Sequence, residues 1–487
     1  MENPEKAQND QVARIIWAVH ILSFLTTGNK GHESDTELQH ANTTEEEFED
    51  LEVDTSTEHA TLLTTSNESV RKKFLDCVAQ LFSSRKGWYG VTAAALRERE
   101  DFVEIDIARN DRWEKKTRWD QEALSLCKHL EEYLSAVSER DESFEKLESD
   151  CEEDAITYSR ERVDRWIETL RSTLKSKMHC LRSQHCEECS PAIKHWNCLA
   201  DFLRQVDQGG VNNAKLRSTI VYQAYRLINS DQTPQIEQLM QDNFTVSVSS
   251  KICNCLRFIA RPITDCRLLL SIAEREQQFQ QIKISLITSD QISKLDSTYC
   301  VRIEDAFSQL GLGKPLKFRG YDLTKSFGKE FENVCKKASR EPFSLHAEMQ
   351  LISYYDESKV SPPTFQYFGC SKKTCLLCET FLSSLPMPIN TRGRHGICYP
   401  AWGLPCLKSA KAIITAKTME RSLVLRIKSI LQVLESGIKP RFLNPVAQSS
   451  IVSGLSKMTL DARKQQDQIL TTLKAQSEIQ RRDFSLK

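Results

Sequence analysis

The chain has 487 residues, 27% of them charged, and a formal net charge of −1. That length allows two or three domains, and the near-neutral balance excludes wholesale electrostatic adhesion to nucleic acid. Seventeen cysteines in so long a chain do not form the regular framework of a small disulfide scaffold, so a reducing compartment, cytosol or nucleus, is expected.

The chain opens with an apolar stretch, Val12 to Leu25, interrupted by Arg14 and His20. It is too short for a membrane span, and Glu2, Glu5 and Asp10 do not fit the basic start of a signal peptide. An amphipathic helix within residues 1–31, packed on the body, is the expectation. Residues 32–67 form an acidic linker, with the run TEEEFEDLEVD and no Lys or Arg from His32 to His59. Such a composition stays solvated and disordered; its other reading is an acidic strand that mimics nucleic acid over a basic site.

Residues 68–240 are expected to form a helical domain of unassigned role. Val70, Phe74, Val78 and Leu81 share a helical face, as do Val163, Ile167, Leu170 and Leu174. Trp113, Trp119, Leu130, Leu134 and Val137 mark a helix between them. This region also carries His179, Cys180, His185, Cys186, Cys189, His195 and Cys198. The Cys186-x-x-Cys189 pair has zinc spacing, but ordinary buried cysteines on helices broken at Ser190-Pro191 are the competing reading.

A second domain is expected over residues 241–445, with its core at about 315–425. Phe244 to Val248 alternates as a short strand would, Leu268 to Ile287 has a helical pattern, and Lys325 to Ala338 forms a further helix. The chemistry then concentrates in Ser344 to Cys378. A His-x-Glu triplet, His346 to Glu348, opens a helix over residues 346–356 capped by Ser344. Pro362 and Pro363 break it, and Thr364 to Gly369 gives a buried strand. Cys375 and Cys378 follow, three apart, so that on a helix both thiols project from one face. A helix start near Thr374 lowers the thiol pKa values and favours the thiolates that a metal requires.

One imidazole and two thiolates leave the fourth tetrahedral position of a Zn²⁺ ion for water, the pattern of a catalytic site. Glu348, beside that water without coordinating the ion, serves as proton carrier. The rival reading takes Cys370 as a fourth ligand and closes the site for a purely structural role.

At these residues the sequence resembles the cytidine deaminase-like superfamily of zinc nucleobase deaminases, whose signature is H-x-E followed by P-C-x-x-C. More narrowly, it is similar to toxin-related deaminase domains of large fungal proteins with unassigned substrate. Thr374 stands where the superfamily usually has Pro. The resemblance implies a three-layer α/β/α domain, and the fold class expected is α+α/β: a helical N-terminal region followed by that domain. It further implies two strands ahead of the His-bearing helix. Residues 340–345 leave no room for them, so they are expected around Lys317 to Leu323 or in altered form.

Beyond the cysteines, Thr391 to Trp402 reads TRGRHGICYPAW, a basic turn entering a strand. Arg392, Arg394 and His395 are candidates to meet a phosphate, and Tyr399 and Trp402 to stack on a base; a plain connection with solvated arginines is the alternative. Ser409 to Gly437 is a long flanking helix, and residues 446–487 form a polar helical tail. The expected function is zinc-dependent hydrolytic deamination of a nucleobase, in single-stranded nucleic acid or a nucleotide, by an intracellular protein without membrane association. The alternative is an inactive, zinc-stabilised binding or effector module that recruits protein partners through its helical region.

Overall fold

The computed structural model describes residues 4–27 and 67–435, apart from breaks at 86, 101, 115–116, 139–141, 175–190, 210–212, 229–232, 290, 314–316, 319–320, 342, 358–359 and 407. The acidic run at 32–66, the Cys180–Cys189 part of the cysteine cluster and the tail at 446–487 lie outside the described residues. A mostly helical N-terminal region is followed by a mixed α/β region with a small sheet.

The first helix, α1 (Pro4–Thr27), differs from the amphipathic expectation. Trp17, Ala18, Val19, His20, Ile21 and Leu22 are all buried, so successive residues covering every side of the helix face protein. Helix α2 (Asn67–Leu81) buries the Val70, Phe74, Val78 and Leu81 stripe as its spacing predicts. Residues 68–240 are not uniformly helical, however, because α2 leads into two strands, β1 (Thr92–Glu98) and β2 (Val103–Arg109). They pair as an antiparallel hairpin from Thr92↔Arg109 to Glu98↔Val103.

Among the described residues seven α-helices then intervene before the sheet resumes: α3 (Arg118–Ser135), α4 (Glu142–Tyr158), α5 (Arg160–Leu174), α6 (Pro191–Gly209), α7 (Ala214–Ile228), α8 (Thr233–Asn243) and α9 (Val246–Arg275). The strand expected at 244–248 is instead the start of α9, because Ile252, Leu256, Ile259 and Ile263 continue a helical stripe into a core built with α5, α6 and α7. The distal half of α9 enters a different core, with α2, α3, α4 and the sheet. Thus α9 joins the helical part to the α/β part.

The helix expected to run to Ile287 ends at Arg275; alternating Ile282, Ile284 and Leu286 form β3 (Ile282–Leu286), parallel to β2. After α10 (Ile303–Gln309) come β4 (Lys317–Phe318) and β5 (Tyr321–Asp322), two antiparallel strands of two residues each that form a separate sheet. The strands expected near 317–323 are therefore not the sheet hairpin, which comes from residues 92–109. The chain continues through α11 (Leu323–Arg340), α12 (Ala347–Glu357), β6 (Tyr367–Cys370), α13 (Leu376–Ser383), β7 (Asn390–Thr391) and α14 (Ala410–Glu435).

The sheet order is β3-β2-β1-β6-β7, with β6 antiparallel to β1 and parallel to β7. Side-chain alternation separates its two faces. Ala94, Leu96, Ile105 and Ile107 join the core shared with α2 and α3. On the other face Arg97 holds buried Asp106 through two hydrogen bonds, at 2.6 and 2.9 Å, and Tyr355 of α12 donates to the same carboxylate at 2.6 Å. Helix α2 approaches β6 so closely that a Cβ on Gly369 would lie 2.2 Å from the Leu75 backbone, which only glycine permits. The α/β region is therefore helix, sheet, helix in cross-section. Among the described residues no helix is long and apolar enough to cross a membrane.

Candidate metal centre

Thr92, Arg109 and Cys370 mark one end of the sheet, and α12 and α13 both begin there. The polypeptide reaches α12 through Leu345 and His346, and the first helical N–H, from Ala347, is accepted at 2.6 Å by Asn110 Oδ1, just beyond β2. The expected cap, Ser344, instead bridges to Trp402 and accepts the Gly403 N–H at 2.8 Å. The helix start is thus satisfied from the neighbouring strand, and this fixes His346 against the sheet.

Helix α13 is capped by a metal-ligand candidate itself. Cys375 is the N-cap, with extended backbone, and its Sγ accepts the Cys378 N–H at 3.4 Å. The sulfur fills the place that Ser or Asp oxygen usually takes, at the positive end of the helix, where a thiolate is favoured. His346 Nδ1 lies 3.5 Å from Cys375 Sγ and 3.4 Å from Cys378 Sγ. The three donor atoms all fall within 4.8 Å of one another, and the two thiols are buried. His346, Cys375 and Cys378 therefore form a cluster able to hold a metal ion.

Electrostatics couples the three. Burial pushes the Cys375 thiol up, but its hydrogen bond from Cys378 and the charge of His346 overcome this and hold it well below the usual thiol range. Burial and the neighbouring Cys375 push Cys378 well above it. At His346 burial disfavours the imidazolium, yet Cys375 reverses that and the direction is upward.

Glu348 is buried on the first turn of α12 and lies within hydrogen-bonding reach of the Cys378 thiol. Burial raises its carboxyl pKa against the opposing charge of His346. Cys370 ends β6 and turns its thiol to Phe368 O at 3.6 Å, and it is not among the clustered donors. The predicted substrate residues divide. Tyr399 packs edge-on against the His346 ring at 5.8 Å and the His395 ring at 5.7 Å. Arg392 donates to Cys370 O at 3.4 Å, and His395 Nδ1 accepts the Ile397 N–H at 3.1 Å. Arg394 is exposed and paired with Glu379 at 2.5 Å. Trp402 is buried, so it offers no open face for stacking; its indole N–H donates to Cys378 Sγ at 3.2 Å. Residues 392–402 form no strand, only isolated bridges.

Several supporting residues escape sequence reasoning. Gln350, one turn after His346, is fully buried and donates to Arg109 O and Asn110 O, which ties α12 to β2 a second time. Its helical spacing from His346 is the only sequence signal. Asp76 of α2 accepts from Tyr367 OH at 2.8 Å and Cys370 N at 3.2 Å. Burial pushes that carboxyl up, while the charge of Arg392 opposes the shift.

Residues 345–406 match the family model described as OTT_1508-like deaminase, a stretch that begins one residue before His346 and ends beyond Trp402. No curated protein and no solved structure matches the chain. The C-terminal part of the described chain thus holds a deaminase-superfamily domain with a His/Cys/Cys metal-binding cluster. Nothing in these comparisons bears on a link to fungal toxins.

Proposed function

We propose that the chain is a zinc-dependent hydrolytic deaminase of a nucleobase. The observation that carries this reading is the meeting of His346, Cys375 and Cys378 with a buried carboxyl, Glu348, that adds no fourth donor to the cluster. A tetrahedral ion with zinc's ligand distances requires nitrogen and sulfur donors about 3.5 Å apart, and the Nδ1–Sγ separations here are 3.4 and 3.5 Å. The donor chemistry, one imidazole and two thiols, suits a borderline-soft divalent ion. Three protein donors leave a coordination position for chemistry.

When bound, zinc supplies the Lewis acidity that makes water a competent nucleophile near neutral pH. Glu348 is placed to accept the proton of the attacking water and to return it to the leaving amine. Oxygen replaces nitrogen at an amidine-like ring carbon, C4 of cytosine or C6 of adenine, and ammonia departs. The edge of Tyr399 beside His346 walls the pocket and orients a planar ring. At the start of α13, the hydrogen bond from Cys378 and the charge of His346 favour the Cys375 thiolate against its burial.

We further propose that residues 67–109 and 282–435 make up the catalytic α/β unit, with α3–α9 an insertion between its hairpin and β3 and α1 an added helix. Fourteen described cysteines are free thiols, which suits the reducing cytosol or nucleus. The test is a deamination screen over free nucleosides and nucleotides, single-stranded DNA and single-stranded RNA, read by mass and by ammonia release. Deamination in at least one class is expected. Inactivity across all of them, with zinc bound, would favour a zinc-stabilised binding module that recruits protein partners.

A further inference from the structure

Helix α14 packs against α13 and brings Arg426 beside Arg394 and Glu379. Arg394 takes the Glu379 carboxylate at 2.5 Å, whereas the Arg426 guanidinium makes no hydrogen bond or ion pair among the described residues. Two guanidinium groups thus share one carboxylate. Partial burial and the charge of Arg394 lower the Arg426 pKa, and Glu379 offsets this only in part. Such a spot carries an excess of positive charge that a further anion relieves.

The spot is built onto the metal centre. The Glu379 N–H donates to Cys375 O at 3.0 Å, one helical turn from that thiol. The Arg394 turn is tied to the same helix start: the Thr374 N–H donates to Gly393 O at 2.8 Å, His395 N–H to Thr374 O at 3.2 Å and Leu376 N–H to Ile397 O at 3.0 Å. Gly393 makes the turn with φ +140°, and a Cβ there would lie 3.9 Å from Lys373 Cγ, so a further cation borders it. Buried Cys398 lies within electrostatic reach of both Cys375 and Arg426. His346 is part-exposed while the two thiols are buried, so the cluster opens on its imidazole side. Tyr399 stands there, and its ring meets those of both His346 and His395, the neighbour of Arg394.

We infer that Arg394 and Arg426 grip a phosphate of the substrate while its base reaches the metal centre, and that this phosphate displaces Glu379 from Arg394. The planar guanidinium fork matches phosphate oxygens, and two forks hold one phosphate from two sides. The exchange costs little, because the Arg394 side chain is 62% exposed and an ion pair so open to water is weak. The substrate is then a nucleotide, free or within a single strand, and not a nucleoside. This inference rests on the deaminase reading and narrows its substrate class.

The test uses the full zinc-loaded chain carrying Glu348→Gln, so that substrate is not consumed. Cytidine, adenosine and their 5′-monophosphates are titrated by calorimetry, and short fluorescein-labelled single-stranded DNA and RNA by anisotropy. Adding Arg426→Gln is expected to weaken nucleotide binding by about 10- to 150-fold and so to abolish the preference for nucleotide over nucleoside. Adding Glu379→Gln instead, which removes the competing carboxylate, should tighten nucleotide binding by about 2- to 5-fold, a gain that a merely structural Arg394–Glu379 pair does not give. Arg426-dependent binding of a 5′-monophosphate identifies a free nucleotide as sufficient; Arg426-dependent binding of strands alone identifies a backbone phosphate. Equal affinity for nucleoside and nucleotide, a nucleotide preference that survives Arg426→Gln, no gain in Glu379→Gln, or no binding of any phosphorylated probe would overturn the phosphate site. Ammonia release by the unsubstituted chain from nucleosides and nucleotides alike, unaffected by Arg426→Gln, removes the phosphate site and leaves the deaminase reading intact. Arg426-dependent nucleotide binding with no ammonia release from the unsubstituted chain does the reverse.

Discussion

At the residue scale, the hydrogen bond from Trp402 to Cys378 Sγ changes what the sequence suggests. An aromatic in a basic turn reads as a stacking surface, yet here a buried indole N–H is spent on a sulfur. Donation to a ligand sulfur disperses its negative charge and fixes its direction. Trp402→Phe keeps the ring and removes the donor, so metal affinity should fall about 10- to 100-fold with the fold retained. Chelator competition on the metal-loaded protein measures this, and unchanged affinity would make the bond incidental. His346, Glu348, Cys375 and Cys378 are legible in the sequence because they lie on two helix starts within one short stretch, where spacing alone dictates which side chains share a face. Asn110 is not legible, because it meets Ala347 across 237 positions and nothing local marks it as a cap.

At the scale of elements, the β1–β2 hairpin decides the geometry of the site. Its first strand, TAAALRE, is written in residues that favour helices, and it sits between α2 and a run of helices. Local propensity therefore points the wrong way, and burial on both faces of the sheet overrides it. The second strand, VEIDIAR, alternates more plainly, but Asp106 on its buried face is explained only by Arg97 and Tyr355. Helix α12, β6 and α13 are legible because prolines and buried runs punctuate them. The hairpin reaches the metal helix through Asn110. Asn110→Ala should therefore destabilise the fold by about 1–2 kcal/mol, the usual worth of an N-cap. Urea denaturation followed by circular dichroism checks this, and a loss near zero would mean that another group caps α12.

At the scale of the whole molecule, the α/β unit is assembled from distant parts of the chain. Helices α3–α9 separate β2 from its parallel neighbour β3, so the sheet cannot be recovered by reading any continuous segment. Helix α1 packs against the loops that shape the site. Ser23 Oγ donates to Cys398 O at 3.2 Å, the His20 ring meets Phe343 at 5.6 Å, and Phe24 stacks on Phe327 at 4.0 Å. Trp17 is fully buried and donates to Tyr299 O at 3.2 Å. Trp17→Ala should cost about 3–5 kcal/mol of stability, and because α1 supports Phe343 and Cys398 it should also weaken metal binding. A denaturant titration with parallel zinc analysis reads both effects; destabilisation with unchanged zinc affinity would limit α1 to a packing role. The central claim concerns the cluster and its carboxyl together, and the most direct measurement is zinc content and ammonia release in Glu348→Gln beside the unsubstituted chain. About one equivalent of zinc in both proteins, with ammonia released only by the unsubstituted chain, is the result expected of a proton carrier that is not a ligand. Loss of zinc in the variant, or equal ammonia release from both, would contradict it.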